Sequence, residues 1–176
     1  MSDGGKFWGK YRGTVVNNID PEQRGRLLVT VPDVLALVPS TWAEPCTPLA
    51  GPTGPPMGVY LVPPIGAGVW VEFEQGDPDY PIWVGCRWGT AADIPSLAHA
   101  GLPVSPSIVL QTAGQNSVVI SDVPGPAGGI MLRCGSSTVM ITQTGISLIA
   151  PKVEMTAATI DLTGITDINQ GALKVT

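Results

Sequence analysis

From Leu132 to Thr166, apolar residues return at the first and third positions of successive seven-residue blocks: LRCGSST, VMITQTG, ISLIAPK, VEMTAAT and IDLTGIT. Leu132/Cys134, Val139/Ile141, Ile146/Leu148, Val153/Met155 and Ile160/Leu162 form one row, and the positions between them (Arg133, Met140, Ser147, Glu154, Asp161) are mostly polar. This is the inward/outward alternation of half-buried strands about five residues long, joined by tight turns. A coiled coil has the same period but needs apolar residues at the first and fourth positions with charged flanks. Here the fourth positions are Gly135, Thr142, Ile149, Thr156 and Thr163. A single strand of this kind cannot bury its own apolar row, so neighbouring strands and other copies of the chain are expected to complete the core. After Gly164 the register slips, with Asp167 and Asn169 where apolar residues are due, and a final strand ALKVT ends at an edge without a cap.

Upstream, residues 11–18 (YRGTVVNN), 25–31 (GRLLVTV), 57–62 (MGVYLV), 68–74 (GVWVEFE) and 81–86 (PIWVGC) read as strands separated by turn-forming Asn, Asp, Pro and Gly. In GVWVEFE, Val69, Val71 and Phe73 share one face. Five short strands at this spacing fit a small closed barrel of the oligonucleotide/oligosaccharide-binding (OB) type. The proline-bearing stretch from Pro32 to Pro56 is expected to be irregular. Residues 90–106 lose the alternation and read as a linker, and two more strand-like segments, 107–112 and 117–122, precede the repeat. The predicted organisation is a barrel over 1–89, a linker over 90–106 and an elongated β unit over 107–176.

Composition sharpens this picture. Of 176 residues, 44% are apolar and only 13% charged, which points to surface buried against other chains. The 22 glycines and 18 prolines sit between β-patterned runs, as in a turn-rich all-β protein. Net charge is −5, with six basic and ten acidic residues up to position 100 and three against four beyond it, so neither half offers the basic stripe that a phosphate backbone requires. No apolar run reaches the roughly 18 to 20 residues of a membrane-spanning helix. The N-terminus, MSDGGKFWGKYRG, lacks the apolar core of a secretory signal, so synthesis in the cytoplasm is expected. Three widely spaced cysteines, Cys46, Cys86 and Cys134, suggest no disulfide framework.

Candidate chemistry is sparse. Glu72, Glu74, Asp77 and Asp79 form an acidic cluster that reads as a solvated strand face running into a turn, because carboxylate chemistry needs a pocket and complementary partners. His99 is the one histidine and falls in the linker, which leaves any nucleophile without a convincing base. No catalytic residue, metal ligand or cofactor is expected. The five tryptophans, Trp8, Trp42, Trp70, Trp83 and Trp88, read as packing or contact residues; a stacking platform for bases or sugars on the barrel is the alternative.

The runs YRGTVVNNIDPEQRGRLLVTVPDV and GVWVEFEQGDPDYPIWVG, in that order and followed by a repetitive β tail, resemble the spike proteins of contractile tails. These are the phage baseplate assembly protein V group and, more distantly, the valine-glycine repeat protein G spikes of type VI secretion. The resemblance implies a homotrimer in which three OB barrels form a collar and three C-terminal segments wind into an intertwined triangular β-prism. Its core would hold Leu132, Val139, Ile141, Ile146, Leu148, Val153, Met155, Ile160 and Leu162. It further implies a mechanical role: a central spike in the baseplate of a virion tail or injection particle that plugs the tube and pierces the target envelope, touching it only transiently. The larger spikes carry a hub before the barrel. Here the barrel pattern starts within the first dozen residues, so the hub would be a separate chain, with Arg24 and Arg26 in the Asp20–Arg26 loop as candidate contacts. Some relatives end in a His-x-His site, absent from this tail, and so a separate tip protein of the proline-alanine-alanine-arginine (PAAR) repeat family is expected at Leu173 and Val175. Nucleic acid is not an expected partner. A carbohydrate- or oligonucleotide-binding barrel with an oligomerising tail, and a polysaccharide-degrading tailspike, are the competing readings.

Overall fold

A computed structural model describes residues 5–51, 54–101, 103–124, 128–161 and 163. The chain forms two compact units, Met1–Ile94 and Pro95–Thr176.

The first unit is a curled five-stranded sheet. Strand β1 (Tyr11–Asn17) pairs antiparallel with β2 (Leu28–Thr30); the chain then makes one helical turn, α1 (Pro32–Leu35), before the short strand β3 (Glu44–Pro45). A small hairpin, β4 (Ala50–Gly51) with β5 (Met57–Gly58), precedes the central pair β6 (Gly68–Phe73) and β7 (Pro81–Arg87). Sheet order is β2-β1-β6-β7-β3, with β3 parallel to β7. Two backbone hydrogen bonds between Leu27 and Ala43, of 3.1 and 2.7 Å, then tie the chain before β2 to the chain before β3. Taking 43–45 as the third barrel strand, each strand meets its neighbours in the order of an OB barrel.

The alternation in GVWVEFE is realised as read: Val69, Val71 and Phe73 are buried and join Val15, Leu27, Val29, Val31, Ala43 and Trp83 in the core. Gly13 lies where the strands crowd. A Cβ there would stand 2.9 Å from Val71 Cγ2, so the close approach of β1 and β6 requires glycine. The Trp83 indole, though buried, donates to the Gly25 carbonyl at 3.1 Å.

Two expectations are corrected here. The run 57–62 is a strand only at Met57–Gly58, and the third barrel strand comes instead from Glu44–Pro45, inside the stretch read as irregular. A two-residue strand ending in proline has too few positions for a period-2 pattern, and its pairing to β7 is set by tertiary contact.

The second unit opens with a 3-10 turn, Ser96–His99, within the span read as a linker. Five strands follow: β8 (Ile108–Gln111), β9 (Ser117–Ser121), β10 (Gly129–Cys134), β11 (Ser137–Thr142) and β12 (Gly145–Ile149). They form an antiparallel meander in sequence order. The first three seven-residue blocks fall on β10, β11 and β12, although these strands begin eight residues apart, at Gly129, Ser137 and Gly145. Described residues 150–161 belong to no strand, although the repeat continues through Val153, Met155 and Ile160. Leu162, Leu173 and Val175 lie outside the described residues. No described helix is long and apolar enough to cross a membrane.

Candidate functional site

Because the meander is in register, its side chains form ladders. On one face, Leu110, Val118, Leu132, Val139 and Leu148 stand side by side across all five strands, and Ile108, Ile120, Ile130, Ile141 and Ile146 make a second row beside them. Nine of these ten are exposed, from 37% at Val118 to 71% at Ile146, and Val139 is half-buried. The opposite face carries Val109, Val119, Met131, Met140 and Ser147 in one row. It is the better covered of the two, with Ser117 and Val119 buried. Leu97 and Ala100 from the opening turn meet Val119, Met131 and Met140 around a small pocket of about 150 Å³. The unit therefore covers its mixed face with its own opening turn and leaves its most aliphatic face in water, the reverse of what a monomeric sheet does.

Five of the expected core residues, Leu132, Val139, Ile141, Ile146 and Leu148, share this open face. Val153, Met155 and Ile160 are also exposed, but no ladder places them beside the other five. Missed by the sequence reading was the contribution of β8 and β9: Ile108, Leu110, Val118 and Ile120 extend both rows, a signal present in their own alternation but outside the seven-residue period.

In the first unit, the Asp20–Arg26 loop is an internal knot. Asp20, 8% exposed, accepts from the backbone N–H groups of Glu22, Arg24 and Arg26 and from the Arg26 side chain, whose Nη2 lies 2.7 Å away. The Arg26 fork, with these backbone donors, holds the Asp20 carboxyl far below the usual carboxylate range, and Asp20 in turn raises Arg26. The guanidinium also lies 5.6 Å from the Trp42 ring centre. Of the two candidate contact residues, Arg26 is 11% exposed at its side chain and committed to Asp20, whereas Arg24 is accessible, paired with Glu22 and Glu44.

The acidic cluster is engaged by the N-terminal segment. Lys10 pairs with Glu72, Lys6 pairs with Asp77 at 3.6 Å, and the Phe7 N–H donates to the Gly76 carbonyl at 2.8 Å. Phe7, Tyr11 and Phe73 meet with ring centres 5.7 to 6.2 Å apart. The tryptophans do not form one platform. Trp83 is core and Trp42 sits under Arg26, whereas exposed Trp8 and Trp88 lie near opposite ends of the β6–β7 hairpin, Trp8 against Gly76 and Trp88 just past Arg87.

Comparison with known families matches residues 11–88 to the type VI secretion system/phage-baseplate injector OB domain. Residues 107–174 match the phage baseplate V C-terminal trimerisation domain. The chain belongs to the phage baseplate V family. The baseplate V matches span the barrel strands and the meander, so the aliphatic face described above belongs to a trimerisation domain. Both matched families are structural parts of a baseplate, and this chain is an all-β baseplate protein of that kind. No curated protein matches the chain.

Proposed function

We propose that this protein is the trimeric central spike of a contractile tail or injection-system baseplate. Its two unpartnered aliphatic ladders carry the reading: three copies of the meander placed face inward would bury them around a three-fold axis. Each half-exposed aliphatic side chain removed from water contributes roughly 1 kcal/mol, so the ten of each chain supply roughly 10 kcal/mol, of the same order as the cost of association. Leu132, Val139, Ile141, Ile146 and Leu148 are core residues of this trimer. Val153, Met155 and Ile160, in described residues that belong to no strand, continue the core, and Leu162 follows them in the repeat. There the repeat pairs with strands of the other two copies, which makes that portion the intertwined part of the prism. Closing the sheets removes free edges and gives a stiff rod.

In this reading the barrels plug the tube as a collar, the rod enters the target envelope when the sheath contracts, and the sheath supplies the energy. The spike performs no chemistry and takes no cofactor. It is made in the cytoplasm and enters the particle by assembly. Arg24 is the accessible member of the pair offered for contact with a separate hub chain, while Arg26 shapes the loop that presents it. A PAAR-repeat tip protein is the partner that contacts Leu173 and Val175. The acidic balance and the internally satisfied Arg26–Trp42 pair favour protein over nucleic acid as the barrel's neighbour.

Light scattering coupled to size exclusion tests this. A mass three times 18.2 kDa with early elution is the expected result, and a compact monomer would remove the basis for the spike.

A further inference from the structure

Eight of the nine basic residues fall within the described chain, and five of them are neutralised in place: Lys6, Lys10, Arg24, Arg26 and Lys152 each contact a carboxylate. Of the three that make no ion pair among the described residues, Arg133 lies in the second unit, and Arg12 and Arg87 occupy the same outer face of the barrel. Register places them there: Arg12, Trp70 and Gly85 form one row across β1, β6 and β7, and Thr14, Gly68 and Arg87 form the next.

The local backbone opens this face. A bulge after Trp70 puts Gly85 beside the indole with φ +153 and nothing within 4 Å of where its Cβ would stand. Gly68 likewise has no side chain, and Arg87 folds across it, with Cγ 2.9 Å and Cζ 3.1 Å from the missing Cβ position. The guanidinium is thus carried over β6, about one lattice diagonal, roughly 7 to 8 Å, from the backbone of Arg12. Its Nε is shielded from solvent and has no acceptor. The half-buried Trp70 lies beside this gap.

We propose that this face docks a short acidic segment of a protein partner in extended conformation, with carboxylates on Arg12 and Arg87 and the segment's backbone running past Trp70. Carboxylates two residues apart on an extended chain are about 7 Å apart, comparable with the roughly 7 to 8 Å between the Arg87 guanidinium and the Arg12 backbone. Guanidinium forks suit such bidentate acceptors, and two cations left unneutralised on a chain of net charge −5 supply the charge complementarity. A phosphate polymer is the poorer fit. The next row along the face is Glu72, Ile82 and Glu44, whose carboxylates are already paired with Lys10 and Arg24, so a polyanion continuing past the arginines would meet no further free cation there.

The test is a fluorescence-anisotropy titration of the full-length protein against a labelled peptide alternating glutamate with serine, at low and at 0.3 M salt. Saturable binding that weakens at high salt is expected, with about a fivefold to tenfold loss in R12Q and in R87Q and no change in R133Q. Arg87→Lys should lose most of the affinity while keeping the charge, because the fork is lost. Binding by R12Q and R87Q as tight as by the unsubstituted protein, or no saturation up to millimolar peptide, overturns the proposal. So does tighter binding of a labelled oligothymidylate of the same charge. The aliphatic ladders lie in the other unit, so light scattering can still report a trimer if this titration fails.

Discussion

Ile130 lies directly opposite Ile141 across the β10–β11 ladder, and both side chains are about 40% exposed in the single chain (40% and 41%). The pair stands in the middle strands of a five-strand isoleucine row, so a charge there would meet apolar neighbours on every side once three copies close. Ile141→Asp is expected to abolish the trimer, giving monomer or aggregate by light scattering. Arg133→Ser, on the opposite face, should leave the mass unchanged.

Gly129, which opens β10 with φ +118, lies so close to β11 that a Cβ would overlap the Ile141 carbonyl oxygen. Gly129→Ala should therefore pry β10 from β11 and weaken assembly without touching the aliphatic face. Loss of amide-exchange protection at Ile141 and Thr142, together with a lower dissociation temperature, is the expected readout.

The Asp20 knot makes the barrel sensitive to acid. Because the folded carboxyl titrates well below its unfolded value, its contribution is fully present above about pH 4 and is lost progressively as pH falls below that. Asp93, lowered by the N–H groups of Thr90 and Gly89, acts in the same direction. Tryptophan-fluorescence melts should be flat from neutral pH to about 5 and fall beneath 4. In Asp20→Asn the melting temperature should be lower by several degrees at pH 7, and the acid decline shallower, since breaking one partner leaves Arg26 uncompensated.

Trp83→Phe keeps an aromatic in the core but leaves the Gly25 carbonyl without its donor. A loss of roughly 1–3 kcal/mol is expected in urea unfolding of the barrel.

Gly76 has φ +75, and a Cβ there would stand 3.1 Å from both Lys6 Cβ and Phe7 N. Gly76→Ala should cost roughly 1–2 kcal/mol in backbone strain and loosen the N-terminal segment. Faster tryptic cleavage after Lys6 and Lys10, with the rest of the barrel resistant, would confirm the clasp.

The local chemistry of the chain determined much of this protein. Period-2 alternation in GVWVEFE and in the seven-residue blocks placed β6, β10, β11 and β12, because a pleated backbone forces neighbouring side chains to opposite faces whatever surrounds them. Turn residues bounded the strands, and the motif runs carried the family. Tertiary structure alone decided the rest. Glu44–Pro45 is a strand only because β7 offers it a parallel partner, and Val59–Val62 is not one because no ladder receives it. Arg26 and Arg24 differ by two positions in sequence, yet one is sealed against Asp20 and the other faces water. Arg12 and Arg87 are 75 positions apart and share a surface only through the order of β1, β6 and β7. Pairing partners, and the burial they bring, depend on contacts distant in sequence, whereas alternation and turn chemistry are written within a few residues.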